Sequence, residues 1–400
     1  MVLPTTRNER YEVLDALRGF ALFGILMANL YSFFGYGGLT PEEIIALPTA
    51  DQSVLFFIDW FIEGKFYGLF SILFGIGFGL QAQRMADRPH YFLSYWYRRM
   101  IVLVTIGLMH MVFIWIGDIL TLYALLGMLL PLFLKLSDRA LLRWIVCLLI
   151  APIAMFFLVY ASGDSPFWSS LTRLSAELQA NLGYGDVRRF DMSISENPAD
   201  VFWANALSVI PRPMSYLLSG RYPQVLGLFL IGLLFSRKLP GLVENRIKLS
   251  PAMIAAFVTG LICSFAYGWT KAVSGSYYSL TTIGAIQAIV LHVGAPLLSL
   301  GIGWAFLSAW QSQHYAGIFS QLATLGRMAL SNYLFQTSLA VFLFYGYGFG
   351  LMGKLPFALL PLFAIGILAA QWLISCAWLK RHAQGPLEAL WKRLAYVTPG

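Results

Sequence analysis

Runs of about twenty mostly apolar residues recur along this chain, and that recurrence leaves few folds open to it. Twenty helical residues rise about 30 Å, the thickness of a bilayer's hydrocarbon core. In that medium every backbone N–H and C=O must be satisfied within the protein, so runs of this length cross as α-helices. Candidate spans fall at 14–34, 64–82, 99–117, 119–136, 144–161, 222–236, 251–270, 283–308, 327–345 and 356–379. The expected fold is all-α, a polytopic integral membrane protein with about ten transmembrane helices and a single membrane domain over 1–400. Segment 199–221, before the short sixth run, carries Pro211 and Pro213, which interrupt a helix.

Of the 400 residues 58% are apolar and 12% charged, about half the charge of a soluble domain. A net charge of +8 would point to nucleic acid in a soluble chain. Here the Lys and Arg lie mainly in short connections between apolar runs, so they report orientation and contact with anionic lipids, and no nucleic-acid partner is expected. With the N-terminus cytoplasmic, 19 of the 27 Lys and Arg fall inside, among them Arg7, Arg10, Arg84, Arg246 and Lys248. Both termini are then cytoplasmic and the polar segment 162–203 is an external loop. Residues 380–400 form a cytoplasmic amphipathic tail, with Leu387, Leu390, Trp391 and Leu394 on one face and Glu388 four residues before Lys392. Cys147, Cys263 and Cys376 all lie in apolar runs, without a disulfide framework or metal-ligand spacing, so no metal is expected.

Ionisable groups at membrane depth are costly, and each is a functional candidate. In the first span Asp15 and Arg18 are three residues apart, share a helix face and can pair. Asn29 lies about 16 Å beyond Arg18 on the same helix. Asp59, Glu63 and Lys65 enter the second span; Asp59 and Glu63, at i,i+4, share a face that Lys65 can neutralise. Gly75, Gly77 and Gly79 follow no strand and are read as close helix packing rather than a dinucleotide loop. His110 lies about 16 Å along a helix from Arg99, near the midplane. Imidazole accepts and returns a proton near neutral pH, which suits a general base. Asp118 is about 12 Å further along one straight helix, so it can orient His110 only if the chain folds back. Asn332 and Gln336, four apart, either glue helices together or line a pocket. His292 is read as structural.

In this order the segments LDALRGFALFGILMAN, KFYGLFSILFGIGFGL, HMVFIWIGDILTLYALLG, GRMALSNYLFQT and GPLEALWKRL closely resemble the YeiB family of bacterial inner-membrane proteins, from about Tyr11 to Val397. The first motif is also similar to that of the heparan-α-glucosaminide N-acetyltransferases and, more distantly, of other transmembrane acyltransferases. That resemblance implies an acyl group taken from cytoplasmic acyl-CoA (acetyl-CoA being one candidate donor) and delivered to an envelope acceptor such as a glycan or another small molecule. The histidine implicated in the lysosomal enzyme follows the first span, whereas His110 belongs to the third, so its role is not transferred by position.

The resulting expectation is a through-membrane acyltransferase. Arg18, Arg98 and Arg99 meet the CoA phosphates. His110 is the base, and Asp118, Asp59 and Lys65 orient the acceptor at the external mouth. Asn332 and Gln336, with Asp15 and Asn29, line the pocket. The imidazole should face a cavity reached by donor and acceptor. The alternative is a transporter or flippase using the same polar track; a third reading gives these groups only helix-packing roles. Membrane lipids are expected partners, and a homodimer is an assembly open to such a chain.

Overall fold

A computed structural model describes residues 11–163, 165–239, 250–276, 279–312 and 314–395. Arg7, Arg10, Arg246, Lys248 and the tail beyond 395 lie outside the described residues. The described chain is all-α, with no strand. Among the described residues, seven helical segments are long and apolar enough to cross a membrane. They contain α1 (Glu12–Phe33), α3 (Thr49–Phe57) joined to α4 (Lys65–Arg84), α5 (Pro89–Phe113), α7 (Asp138–Ser162), α13 (Pro251–Ser274), α14 (Thr282–Gln311) and α17 (Leu360–Leu379). An eighth candidate is the pair α11 (Arg212–Leu218) and α12 (Arg221–Ser236), bent by 70°. The remaining expected spans coincide with shorter pieces: α6 (Leu120–Gly127) with a following 3-10 turn, and α16 (Ala329–Phe344). At 16 residues α16 rises only about 24 Å. The smaller helices are α2 (Pro41–Ile45), α8 (Pro166–Asn181), α9 (Arg189–Ser193), α10 (Pro198–Val209), α15 (Ala316–Gly326) and α18 (Pro386–Ala395).

Large apolar side chains left uncovered on α5, α7, α13 and α17, such as Phe113, Leu158, Ile262 and Leu362, are what a lipid-facing surface requires and what water would penalise. Inside, several helix pairs meet backbone to backbone through glycine. A Cβ at Gly75 would lie 2.0 Å from the Phe229 carbonyl oxygen, and one at Gly232 would lie 2.0 Å from that of Ile72, so α4 and α12 touch as the sequence reading of Gly75 expects. Gly19 and Gly326 do the same for α1 and α15, against Leu322 O and Asp15 O.

These contacts sort the helix ends into two layers. At one end lie Asp15, Arg18 and the tail helix α18. Trp391 of α18 donates Nε1–H to Arg99 O at 2.8 Å, and the Arg99 guanidinium lies 3.9 Å from the Trp391 ring. Glu388 accepts the N–H groups of Leu330 (2.7 Å) and Ser331 (3.1 Å) and the Ser331 hydroxyl (2.5 Å). It thereby satisfies otherwise orphaned donors at the α16 N-terminus. Glu388→Ala is expected to cost about 1–2 kcal/mol, as for loss of an N-cap, read as a lower thermal midpoint in detergent. At the other end α8–α11 form a cap. Asn205 Nδ2 donates to Ile114 O at 3.3 Å, and the Tyr216 hydroxyl donates to Asp118 O at 2.7 Å.

Candidate functional site

The chain does fold back at His110. The His110 carbonyl accepts both Ile114 N–H (2.9 Å) and Trp115 N–H (2.8 Å), which widens and ends α5. The next segment turns and starts α6 alongside it. Asp118 sits at this turn with one oxygen for each neighbour: Oδ1 lies 3.0 Å from His110 Nδ1, and Oδ2 accepts Thr121 N–H at 2.8 Å. The closure needs Gly107. A Cβ there would lie 2.4 Å from Thr121 Oγ1, 2.6 Å from Thr121 N and 3.0 Å from Asp118 Oδ2.

Both side chains of the pair have no exposed surface. A carboxylate oxygen only accepts, so Nδ1 is assigned as the donor, and in that tautomer the ring's lone pair lies at Nε2. Nε2 is buried and has no hydrogen-bond partner; the Tyr333 hydroxyl is buried beside the Ile119 backbone N–H and donates to no group. The Tyr333 ring stands 5.4 Å from the imidazole, centroid to centroid. Above them the Arg212 guanidinium lies 4.6 Å from the Tyr216 ring. The imidazole is therefore sealed from both surfaces, and the cavity expected beside it is not found among the described residues. The side chain that the 326–337 segment brings to His110 is Tyr333, the neighbour of Asn332.

Asn332 and Gln336 face α17 instead. Asn332 Nδ2 donates to Leu325 O and Ser375 Oγ, each at 3.0 Å. Gln371 Nε2 donates to Asn332 O at 2.7 Å and to Gln336 Oε1 at 3.4 Å. Of the two roles open to these amides, this is helix gluing, although Gln336 Nε2 is buried without a partner.

Asp59 and Lys65 form a second buried centre, not an exposed mouth. A π-helical turn over Ile58–Ile62 continues α3, and Gly64, at φ 84°, turns the chain into α4. The widened turn removes the simple i,i+4 register. Asp59 is buried, whereas Glu63 is about one-third exposed, 4.0 Å from Arg221. The Asp59 carboxylate pairs with Lys271 Nζ at 2.7 Å, while Lys65 Nζ donates to the Asp59 backbone carbonyl at 2.7 Å. Lys271 lies 4.7 Å from the Tyr31 ring centroid and 5.1 Å from that of Tyr36. Its position directly after the 251–270 apolar run reads as loop charge. The helix in fact continues to Ser274 and carries it inward.

At the tail-helix end Arg18 Nη1 and Asp15 Oδ1 are 2.7 Å apart, the pairing their spacing calls for. Arg99 donates to Gln81 Oε1 (2.8 Å) and the Tyr95 hydroxyl (3.0 Å) beneath Trp391. Arg98 is exposed. Arg18 and Arg99 flank one stretch of α4: a Cβ at Gly77 would lie 3.9 Å from Arg18 Nη2, and Gln81 Nε2 donates to Gly77 O at 3.1 Å. Asn29 enters none of these clusters. His292 Nδ1 meets Gln224 Oε1 at 3.1 Å inside the bundle, as a structural histidine would.

Residues 241–398 match the family described as "Protein of unknown function (DUF418)". Over its whole length the chain is 30% identical to the Bacillus subtilis (strain 168) protein printed as "Uncharacterized protein YxaH", with 99% of this chain and 96% of that one aligned. It belongs to the YeiB-like family. The Escherichia coli (strain K12) protein YeiB is itself 27% identical over 98% of both chains. The "39.9 kDa protein in amylase 3'region" of Bacillus acidopullulyticus is 28% identical over 98% of this chain and 96% of its own. No solved structure matches. The YeiB-like assignment agrees with a multi-pass membrane protein and brings no reaction with it.

Proposed function

We propose that this YeiB-like protein is a transmembrane acyltransferase that takes an acyl group from cytoplasmic acyl-CoA and gives it to a hydroxyl or amine of an envelope acceptor. The observation that carries this reading is the Asp118–His110 pair, whose Nδ1 is held by a carboxylate and whose Nε2 has no partner. In the proposed step His110 Nε2 removes the acceptor proton as the acceptor oxygen or nitrogen bonds to the thioester carbonyl. The C–S bond then breaks, and the imidazolium returns the proton to the departing CoA sulfur. Asp118 stabilises the imidazolium, and the Tyr333 hydroxyl is placed to donate to the carbonyl oxygen as it gains negative charge. Arg18 and Arg98 take the CoA phosphates; Arg99 mainly fixes the tail helix. Substrates reach His110 by displacement of the cap that Asn205 and Tyr216 tie to the α5–α6 turn.

In this proposal the protein crosses the bacterial inner membrane ten times, with both termini cytoplasmic and 162–203 external. Reporter fusions after Gly163 and at the C-terminus should report opposite sides; the same side for both would remove the ten-crossing arrangement. Untargeted mass spectrometry of molecules that copurify with the protein, with and without added acetyl-CoA, tests the reaction class. CoA or an acylated small molecule is expected. A transporter or flippase is the second reading, favoured by the buried Asp59–Lys271–Lys65 centre at a broken span. Its signature is a copurifying solute with no acyl turnover.

A further inference from the structure

The Asp59 centre stands outside the acyl-transfer site, and its charges do not balance. Asp59 and Lys271 neutralise one another at 2.7 Å. Lys65 is completely buried, and among the described residues no carboxylate lies within ion-pair distance of it. Its ammonium donates one N–H to the Asp59 carbonyl and lies 6.0 Å from the Tyr267 ring centroid, and among the described residues its other two N–H groups meet no acceptor. A buried charge in this state either loses its proton or takes a counter-ion.

We propose that Lys65 binds an oxyanion: a carboxylate or phosphate group of a small ligand. Three independent features fit an anion better than a neutral amine. The span is broken at Gly64, so Lys65 opens the 20-residue helix α4, whose first turn receives no side-chain cap and points the positive end of its dipole at the break. Lys271 is held among the Tyr31, Tyr36 and Tyr267 rings, which favour it as a cation and so keep the Asp59 charge occupied. Finally, Glu63, two residues before Lys65, and Arg221 are each about one-third exposed and stand 4.0 Å apart, so the break reaches the surface, and Arg221 gives an incoming anion its first contact.

The test uses the full chain in detergent at constant ionic strength, with chloride replaced stepwise by acetate or by inorganic phosphate. A saturating rise in unfolding midpoint is expected with one of them, and which one distinguishes a carboxylate from a phosphate site. Solvent-ordering effects of phosphate rise without saturating. Lys65→Gln should abolish the response. No saturating response to either anion in the wild type, or an equal response in folded Lys65→Gln, overturns the proposal. If Lys65→Gln does not fold, Lys65→Met takes its place: it too must lose the saturating response, and a wild-type response in the folded variant overturns the proposal.

Discussion

His110→Gln is expected to lower acyl transfer by about 10²–10⁴-fold, the usual contribution of a positioned general base, while the protein stays folded. Glutamine nearly fills the imidazole's volume and can still donate to Asp118 Oδ1, so the α5–α6 turn keeps its contact, but an amide cannot take a proton near neutral pH. Asp118→Asn should lose most of the same rate for a different reason. The carboxylate accepts from His110 on one oxygen and from Thr121 N–H on the other. An amide has one oxygen for two donors. If that oxygen keeps Thr121, the NH₂ faces the ring, the hydrogen shifts to Nε2 and the base is lost. Turnover measured beside a thermal melt separates these effects from unfolding. A His110→Gln protein with wild-type turnover would leave His110 a packing role only, at the cost of about 1–2 kcal/mol or less of helix association.

The other large effect is on stability, at Asp59. Asp59→Asn leaves Lys271 and Lys65 buried together with no carboxylate, and should destabilise by about 3–5 kcal/mol, the cost of breaking a buried ion pair from one side. Lys271→Met should cost less. Lys65 already reaches the Asp59 backbone at 2.7 Å and can turn its ammonium to the freed carboxylate. The double change Asp59→Leu with Lys271→Met should recover part of the loss by removing both charges of the pair. Equal penalties for Asp59→Asn and Lys271→Met in thermal or denaturant unfolding would mean that Lys65 does not share the centre.

The sequence made the long apolar helices, the Asp15–Arg18 pair and the glycine contact at Gly75 legible because each depends on one segment or on a fixed helical spacing. The Asp118–His110 contact was conditional. Separation along a straight helix forbids it, and it exists because Gly107 lets α6 pack against α5. Lys271 was not legible as a partner of Asp59, since the two are 212 residues apart and a lysine ending an apolar run reads as a loop charge. The π turn at Ile58–Ile62 likewise leaves no compositional mark, and it alone separates Asp59 from Glu63. Tyr333 was missed because an aromatic in a span is ordinarily packing. Its only signal was adjacency to Asn332, whose own amide turns to α17.

The central claim, that an acyl group moves from a cytoplasmic donor through the protein under control of His110, meets its most direct test in sealed proteoliposomes of fixed orientation. Acetyl-CoA labelled in the acetyl group is supplied on the side of the tail helix, with an envelope-glycan extract on the side of the 162–203 segment. The account predicts labelled acceptor on that far side and free CoA thiol on the near side in equal amounts, both lost in His110→Gln. CoA release and acceptor label that are absent in the wild type, or undiminished in folded His110→Gln, would contradict it.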